Sequence, residues 1–81
     1  MKLPRDIAGA DLVRHLCQRY GYRRVHQRGI HVVLETHSPT HHRIAIPEHE
    51  VLRVGTLNAI VNAVARAKGI DKALVVESLQ E

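Results

Sequence analysis

The chain has 81 residues, 44% of them hydrophobic, a formal net charge of +4 and a single cysteine, Cys17. This length allows one domain with one modest core, and the apolar fraction is too high for a disordered chain. A lone cysteine excludes an internal disulfide, and no segment approaches the roughly 20 apolar residues of a membrane span. We therefore expect a single cytoplasmic domain over residues 1–81, with no membrane partner.

The first periodic segment, GADLVRHLCQRYG, predicts an amphipathic helix over residues 9–20. Its apolar residues recur at helical spacing and form one stripe: Leu12, Val13, Leu16, Cys17 and Tyr20. Gly21 follows the stripe and is suited to a left-handed C-terminal cap. Arg14 and His15 lie off the stripe.

Three strands are predicted next, because the apolar spacing drops toward two. A first strand runs around Val25 and a second covers His31 to Glu35. Arg28-Gly29 is a plausible tight turn between them, since glycine can take positive φ. THSPTHH predicts a second turn, and RIAIP a third strand that is closed by Pro47. Three strands joined by two short turns make an antiparallel meander.

Helical spacing returns in VGTLNAIVNAVARAKG, where one stripe contains Leu57, Ile60, Val61, Val64 and Ala65. Thr56 is predicted to cap the start of this helix and Gly69 to end it, and Asp71 is predicted to cap a final short helix. The order predicts a two-layer α+β domain, α-β-β-β-α with a short C-terminal helix. Two helices would cover one face of the sheet and leave the other face open for binding.

The basic residues favour a polyanionic partner. Twelve Lys and Arg outnumber eight Asp and Glu, and five arginines fall between Arg14 and Arg28. Gly55-Thr56, preceded by Arg53, begins a helix whose free backbone N–H groups are suited to phosphate. With two tyrosines as the only aromatic residues, contacts with a polyanion would be electrostatic, shape-reading and salt-sensitive. A solvated surface face is the alternative interpretation of these charges.

Three motifs in order resemble one family. MKLPRDIAGADLVRHL resembles the opening of HicA-type mRNA interferase toxins, YGYRRVHQRGIH resembles their first strand and turn, and IPEHEVLRVGTLNAIV resembles the end of their third strand and the start of their second helix. The similarity covers residues 1–70 approximately. It implies a fold similar to a double-stranded RNA-binding domain, cleavage of mRNA, and a HicB-type antitoxin as partner.

The resemblance also assigns residues. The family's catalytic histidine falls on His31, and Ile30 stands where the family usually has a small hydroxyl residue. In folds that bind double-stranded RNA, the first helix and the start of the second helix contact the RNA backbone. The corresponding candidates for RNA contact are Arg14 and His15 on the first helix and Arg53, Gly55 and Thr56 at the second, together with Arg28 and Gly29 at the turn.

The chemistry of RNA cleavage without a metal agrees with a histidine at this place. The reaction needs a base for the 2′-OH proton, an acid for the leaving 5′ oxygen and positive charge beside the phosphate. Histidine suits either proton-transfer role, because its reference pKa of about 6.5 lies near operating pH. His31 and Arg28 offer both elements at short range, and Gly29 lets the RNA backbone approach. His26, across the turn, could be a second acid–base group, although exposed strand histidines are commonly without such a role.

We expect no cofactor and no metal. The second turn and its flanks contain His37, His41 and His42, and imidazoles bind Zn²⁺. No cysteine lies nearby, however, and a flexible surface turn makes a poor closed site.

Two other functions stay open. The first is a non-catalytic RNA-binding module of the same fold, which Ile30 and the histidine-rich turn favour. The second is an interaction protein whose basic face meets only an acidic protein.

Overall fold

The fold, given by a computed structural model, is described for residues 2–80; Met1 and Glu81, which the sequence assigns to the same domain, lie outside the described residues. The elements in chain order are α1 (Gly9–Tyr20), β1 (Arg23–Arg28), β2 (His31–Thr36), β3 (His42–Pro47), α2 (Val54–Lys68) and α3 (Lys72–Leu79). The strands form one antiparallel sheet in the order β1-β2-β3. The predicted α+β arrangement, including the short C-terminal helix, is confirmed.

The core lies between the helices and one face of the sheet, and it is almost entirely aliphatic, as the composition dictates. Alternate residues of β2 point into it, since Val32 and Leu34 are fully buried while Val33 between them is half-buried. The predicted stripes of both long helices supply the other side, and Tyr22 adds an aromatic ring. The buried hydrophobic residues are Leu12, Val13, Leu16, Tyr22, Val32, Leu34, Ile46, Leu52, Leu57, Ile60, Val61, Val64, Ala65, Val75 and Val76.

The predicted helix ends are confirmed at three positions. Gly21 and Gly69 follow α1 and α2 in the left-handed conformation, with φ of 71° and 66°. Glycine adopts this conformation without the steric cost that a Cβ would bring. The Asp71 side chain accepts a hydrogen bond from the backbone N–H of Ala73 at 3.1 Å and so caps α3.

The predicted cap of α2 is wrong. The helix begins at Val54, its N-cap is Arg53 in an extended conformation, and Thr56 lies inside the first turn. The N–H of Leu57 already bonds to the carbonyl of Arg53 at 2.9 Å. The helix therefore starts earlier than the apolar stripe indicated. Val54 and Gly55 form the extra half turn, and because both are exposed they are not part of the buried stripe.

The start of α1 is packed against the end of β3. A Cβ added to Gly9 would lie 2.0 Å from the carbonyl oxygen of Pro47, and the Gly9 N–H donates to the carbonyl of His49 at 2.9 Å. Only a residue without a side chain allows this approach. Pro47 is the register partner of His31 on β2, so the contact holds the strand end that lies beside His31.

Candidate nucleic-acid interface

The hairpin between β1 and β2 sets the position of His31. Arg28 and His31 are directly opposite each other in the register, so the two loop residues are Gly29 and Ile30. The expected turn at Arg28-Gly29 is thus displaced by one residue: Arg28 belongs to the strand. Gly29 has a φ of 53° while Ile30 is not in the left-handed region. Positive φ at the first loop residue alone is the type II′ pattern, which selects glycine there and matches the twist of a hairpin.

The open face of the sheet collects residues from all three strands. Side chains alternate between faces along a strand, and residues opposite each other in the register share a face. His31 therefore lies on the same face as Arg28, and His26, which pairs with Val33, is one step further along. A shallow depression of about 490 Å³ on this face is lined by His26, Arg28, His31, Val33, Arg43 and Ala45.

The two arginines in this depression differ in whether a carboxylate neutralises them. Within residues 2–80, no carboxylate lies within ion-pair distance of Arg28. Arg43, in contrast, donates from Nε to the Glu35 carboxylate at 2.9 Å. Arg28 is thus the cation beside His31 that no acid of the described chain neutralises, and it is available to an anionic ligand.

His31 itself is exposed, and no side-chain hydrogen bond within the described residues orients its ring. The two ring nitrogens are therefore both free to meet a ligand. His26 is its diagonal neighbour across the hairpin, at a Cα separation of roughly 7–8 Å for such pairs. Two imidazoles and an unpaired guanidinium on one open surface can carry out proton transfer next to a bound phosphate.

The start of α2 is near this face at the edge of the sheet. A second depression is lined by Ile44, Ala45, Gly55, Thr56, Ala59 and Ile60. Ala45 lines both depressions, so the surface around His31 continues over β3 to the first turn of α2. Gly55 and Thr56, predicted as phosphate contacts, are thus adjoining the His31 face, and exposed Arg53 immediately precedes them.

The candidates on α1 lie in the helix layer, away from the open face. Arg14 is exposed and forms an i,i+3 ion pair with Asp11 at 3.4 Å. His15 is half-buried against α3, where its Nε2 is 2.9 Å from the hydroxyl of Ser78. Tyr20 donates to the same hydroxyl at 2.8 Å and packs edge-on against the His15 ring. His15 thus connects α1 to α3. Nothing in the sequence indicated this role, because His15 and Ser78 are 63 positions apart.

The three histidines around the second turn separate into two environments. His42 points to the helix side, where its Nδ1 is 2.9 Å from the hydroxyl of Tyr22. His41 and His37 lie on the open side with Glu35: His41 Nε2 is 2.6 Å and His37 Nε2 is 3.6 Å from a Glu35 carboxylate oxygen. The hydrogen bonds from His41 and Arg43 lower the pKa of Glu35 to about 2. Sequence reasoning missed Glu35, because its opposition to Arg43 follows from the register of β2 and β3.

Comparisons with protein-family models, with curated proteins and with solved structures give no match for this chain. Among residues 2–80, no helix is long and apolar enough to cross a membrane. The function must therefore be inferred from the residues of the open face.

Proposed function

We propose that this protein is the toxin of a toxin–antitoxin pair, a small cytoplasmic endoribonuclease that cleaves mRNA by histidine acid–base chemistry. The observation that carries the proposal is the pairing of exposed His31 with unneutralised Arg28 across a tight glycine turn. The resemblance of the three sequence motifs to HicA-type toxins supports the same assignment. It also implies a HicB-type antitoxin, a protein that would cover the basic face until it is removed.

The proposed reaction divides the roles among the residues of the open face. His31 takes the proton from a ribose 2′-OH, the 2′ oxygen attacks the adjacent phosphorus, and the bond from phosphorus to the 5′ oxygen breaks. Arg28 stabilises the negative charge that grows on the phosphate oxygens. The leaving 5′ oxygen must receive a proton, and His26 is the nearest other imidazole on this face. The products would be a 2′,3′-cyclic phosphate and a 5′-OH.

Further contacts would hold the RNA without reading its bases. The first turn of α2, at Gly55 and Thr56, presents backbone N–H groups suited to a phosphate, and Arg53 adds charge beside it. The depression at His31 and that at α2 share Ala45, so one RNA backbone could follow both. Arg14 and His15 would belong to a separate contact on the helix layer.

A non-catalytic RNA-binding module of the same fold is the second candidate. Two observations favour it: Ile30 places an apolar side chain, 47% exposed, beside the site, and no partner within the described residues orients the His31 ring. A general base is commonly held by a hydrogen bond to its second nitrogen. This candidate predicts RNA binding that weakens with salt and yields no cleavage products.

The test compares wild type, His31→Ala and His49→Ala, each expressed without an antitoxin, for growth arrest and RNA decay. His49 is an exposed loop histidine outside the depression and serves as the matched control. We expect arrest and cleavage ending in 2′,3′-cyclic phosphate for wild type and His49→Ala, and neither for His31→Ala. Equal toxicity of wild type and His31→Ala would reject His31 as catalytic. If none of the three proteins cleaves RNA, and each purified protein binds RNA with an affinity that falls as salt is added, the RNA-binding module is favoured.

A further inference from the structure

We propose that Glu35, His37 and His41 form a binding site for one divalent first-row transition-metal ion, for which Zn²⁺ is the probe. The three side chains each offer one ligand atom, and these atoms lie within 4.8 Å of one another. Two imidazole nitrogens and one carboxylate oxygen are a donor set that Zn²⁺ accepts, with water completing the coordination. The sequence predicted no metal at this turn, because no cysteine lies nearby and the turn was expected to be flexible. Glu35, the third ligand, lies outside the histidine-rich segment.

The ligand atoms need only small movements to reach coordination distances. Tetrahedral Zn²⁺ with bonds of about 2.0–2.1 Å places its donors roughly 3.3 Å apart. The Oε1 atom of Glu35 is already 3.6 Å from Nε2 of His37. The His41 Nε2 must exchange its hydrogen bond with Oε2 for the metal. Both histidines are exposed, with side-chain exposures of 75% and 57%, so their rings can rotate without disturbing the core.

The carboxylate, in contrast, is fixed. The Glu35 side chain is only 17% exposed and projects from the central strand of the sheet. Arg43, opposite in the register, donates to Oε2 at 2.9 Å. That bond leaves Oε1, the oxygen on the side of His37, for the ion. Such outer hydrogen bonds orient metal ligands in many protein sites.

The turn that carries His37 and His41 is anchored from the opposite side of the sheet. Lys68, near the end of α2, donates to the hydroxyl of buried Thr36 at 2.9 Å and to the carbonyl of Ser38. At the other end of the turn, His42 is bonded to Tyr22. The residues on both sides of the proposed ligands are therefore held by the helix layer. The backbone that carries the two histidines is therefore held in place, in contrast to the flexible turn that the sequence suggested, and only the two rings must move to bind the ion.

The proposed site is independent of the proposed catalysis. Glu35 is four residues along β2 from His31 on the same face, a distance of roughly 13 Å at the rise of a strand. The ion would cross-link β2 to the second turn at the far end of the open face. It would also add positive charge to that face, which favours anionic ligands generally.

The experiment uses the full chain without an affinity tag, freed of metal by a chelator, and titrated calorimetrically with Zn²⁺. We expect one ion per chain for wild type, and about tenfold or greater weakening in His37→Ala, His41→Ala and Glu35→Gln. His49→Ala and His31→Ala should bind as wild type does. At the same Zn²⁺ concentration, the rise in melting temperature should be equal for wild type and His49→Ala and clearly smaller for His37→Ala.

Three results would overturn the proposal: no binding to wild type, several weak ions per chain, or equal affinity of His37→Ala and His49→Ala. His37→Ala changes an exposed side chain, so a loss of binding in this variant cannot be attributed to unfolding. The two proposals can fail separately. A wild-type protein that binds Zn²⁺ but cleaves no RNA would refute the proposed catalysis alone, and one that cleaves RNA but binds no Zn²⁺ would refute the metal site alone.

Discussion

Replacing Gly9 by alanine tests the packing of α1 against the end of β3. The added Cβ would lie 2.0 Å from the carbonyl oxygen of Pro47 and 2.8 Å from the Cα of Glu48. An ordinary van der Waals contact begins near 3.4 Å, so the helix start must move by about 1.4 Å. Both obstacles are backbone atoms, and neither can rotate away. The hydrogen bond from Gly9 to His49 spans the same contact and would be lost or weakened.

The expected loss of stability has two parts. Overpacking at a rigid contact costs about 1–3 kcal/mol, and the lost hydrogen bond costs about 1 kcal/mol. We therefore expect the free energy of unfolding of Gly9→Ala to fall by about 2–4 kcal/mol. In a domain of this size each kcal/mol lowers the melting temperature by about 4–8 °C. The corresponding decrease in melting temperature is about 8–32 °C.

Gly55→Ala is the matched control, because it makes the same change in the first turn of the other long helix. No atom lies within 4 Å of a Cβ added there, and Ala is the better helix former by up to about 1 kcal/mol. Urea denaturation followed by circular dichroism measures both variants. A Gly9→Ala protein within about 0.5 kcal/mol of wild type, or equal losses in the two variants, would refute the argument from close approach.

Two further predictions concern pH and the hairpin. Burial, with smaller contributions from the charges of Lys68 and His41, lowers the pKa of His42 in the folded protein. The unfolded chain therefore binds a proton at His42 more tightly than the folded chain does. As a result, the free energy of unfolding decreases as pH falls below about 6.5. His42→Asn, which can still accept from Tyr22, should reduce the dependence of unfolding free energy on pH between 7 and 5; a slope identical to that of wild type would contradict the assignment. Gly29→Ala should destabilise the protein by about 1 kcal/mol through its positive φ alone, since no atom lies within 4 Å of the added Cβ, and urea denaturation that detects no loss would contradict the type II′ assignment.

Local pattern was enough to predict the elements but not all of their ends. The stripes of α1 and α2 are buried as the spacing predicts, because a side chain's face depends on its position along its own helix. Gly21, Gly69 and Asp71 end or begin their helices through interactions within a few residues. The turn between β1 and β2 shows the limit of local pattern. The predicted loop, Arg28-Gly29, and the observed loop, Gly29-Ile30, both contain Gly29, and the pairing of the whole strands selects the second.

The candidate site was only partly predictable for the same reason. His31, Arg28 and His26 share a face because they are close in one hairpin, and the sequence brought them together as neighbours. His15, which was predicted as an RNA contact, also lies against Ser78 of α3, and the sequence did not indicate this packing. That contact joins the two ends of the chain, and no local spacing encodes it.

The sequence by itself determined the α+β order, the aliphatic core, the excess of positive charge and the placement of His31 next to a glycine turn. These features depend on periodicity and on conformational preferences that act within a few residues. Only the tertiary structure decided that Glu35 joins His37 and His41 on the open face, while Lys68 and Tyr22 hold the same turn from behind. Such contacts arise when packed layers bring distant residues together, and burial then fixes which side chains can meet.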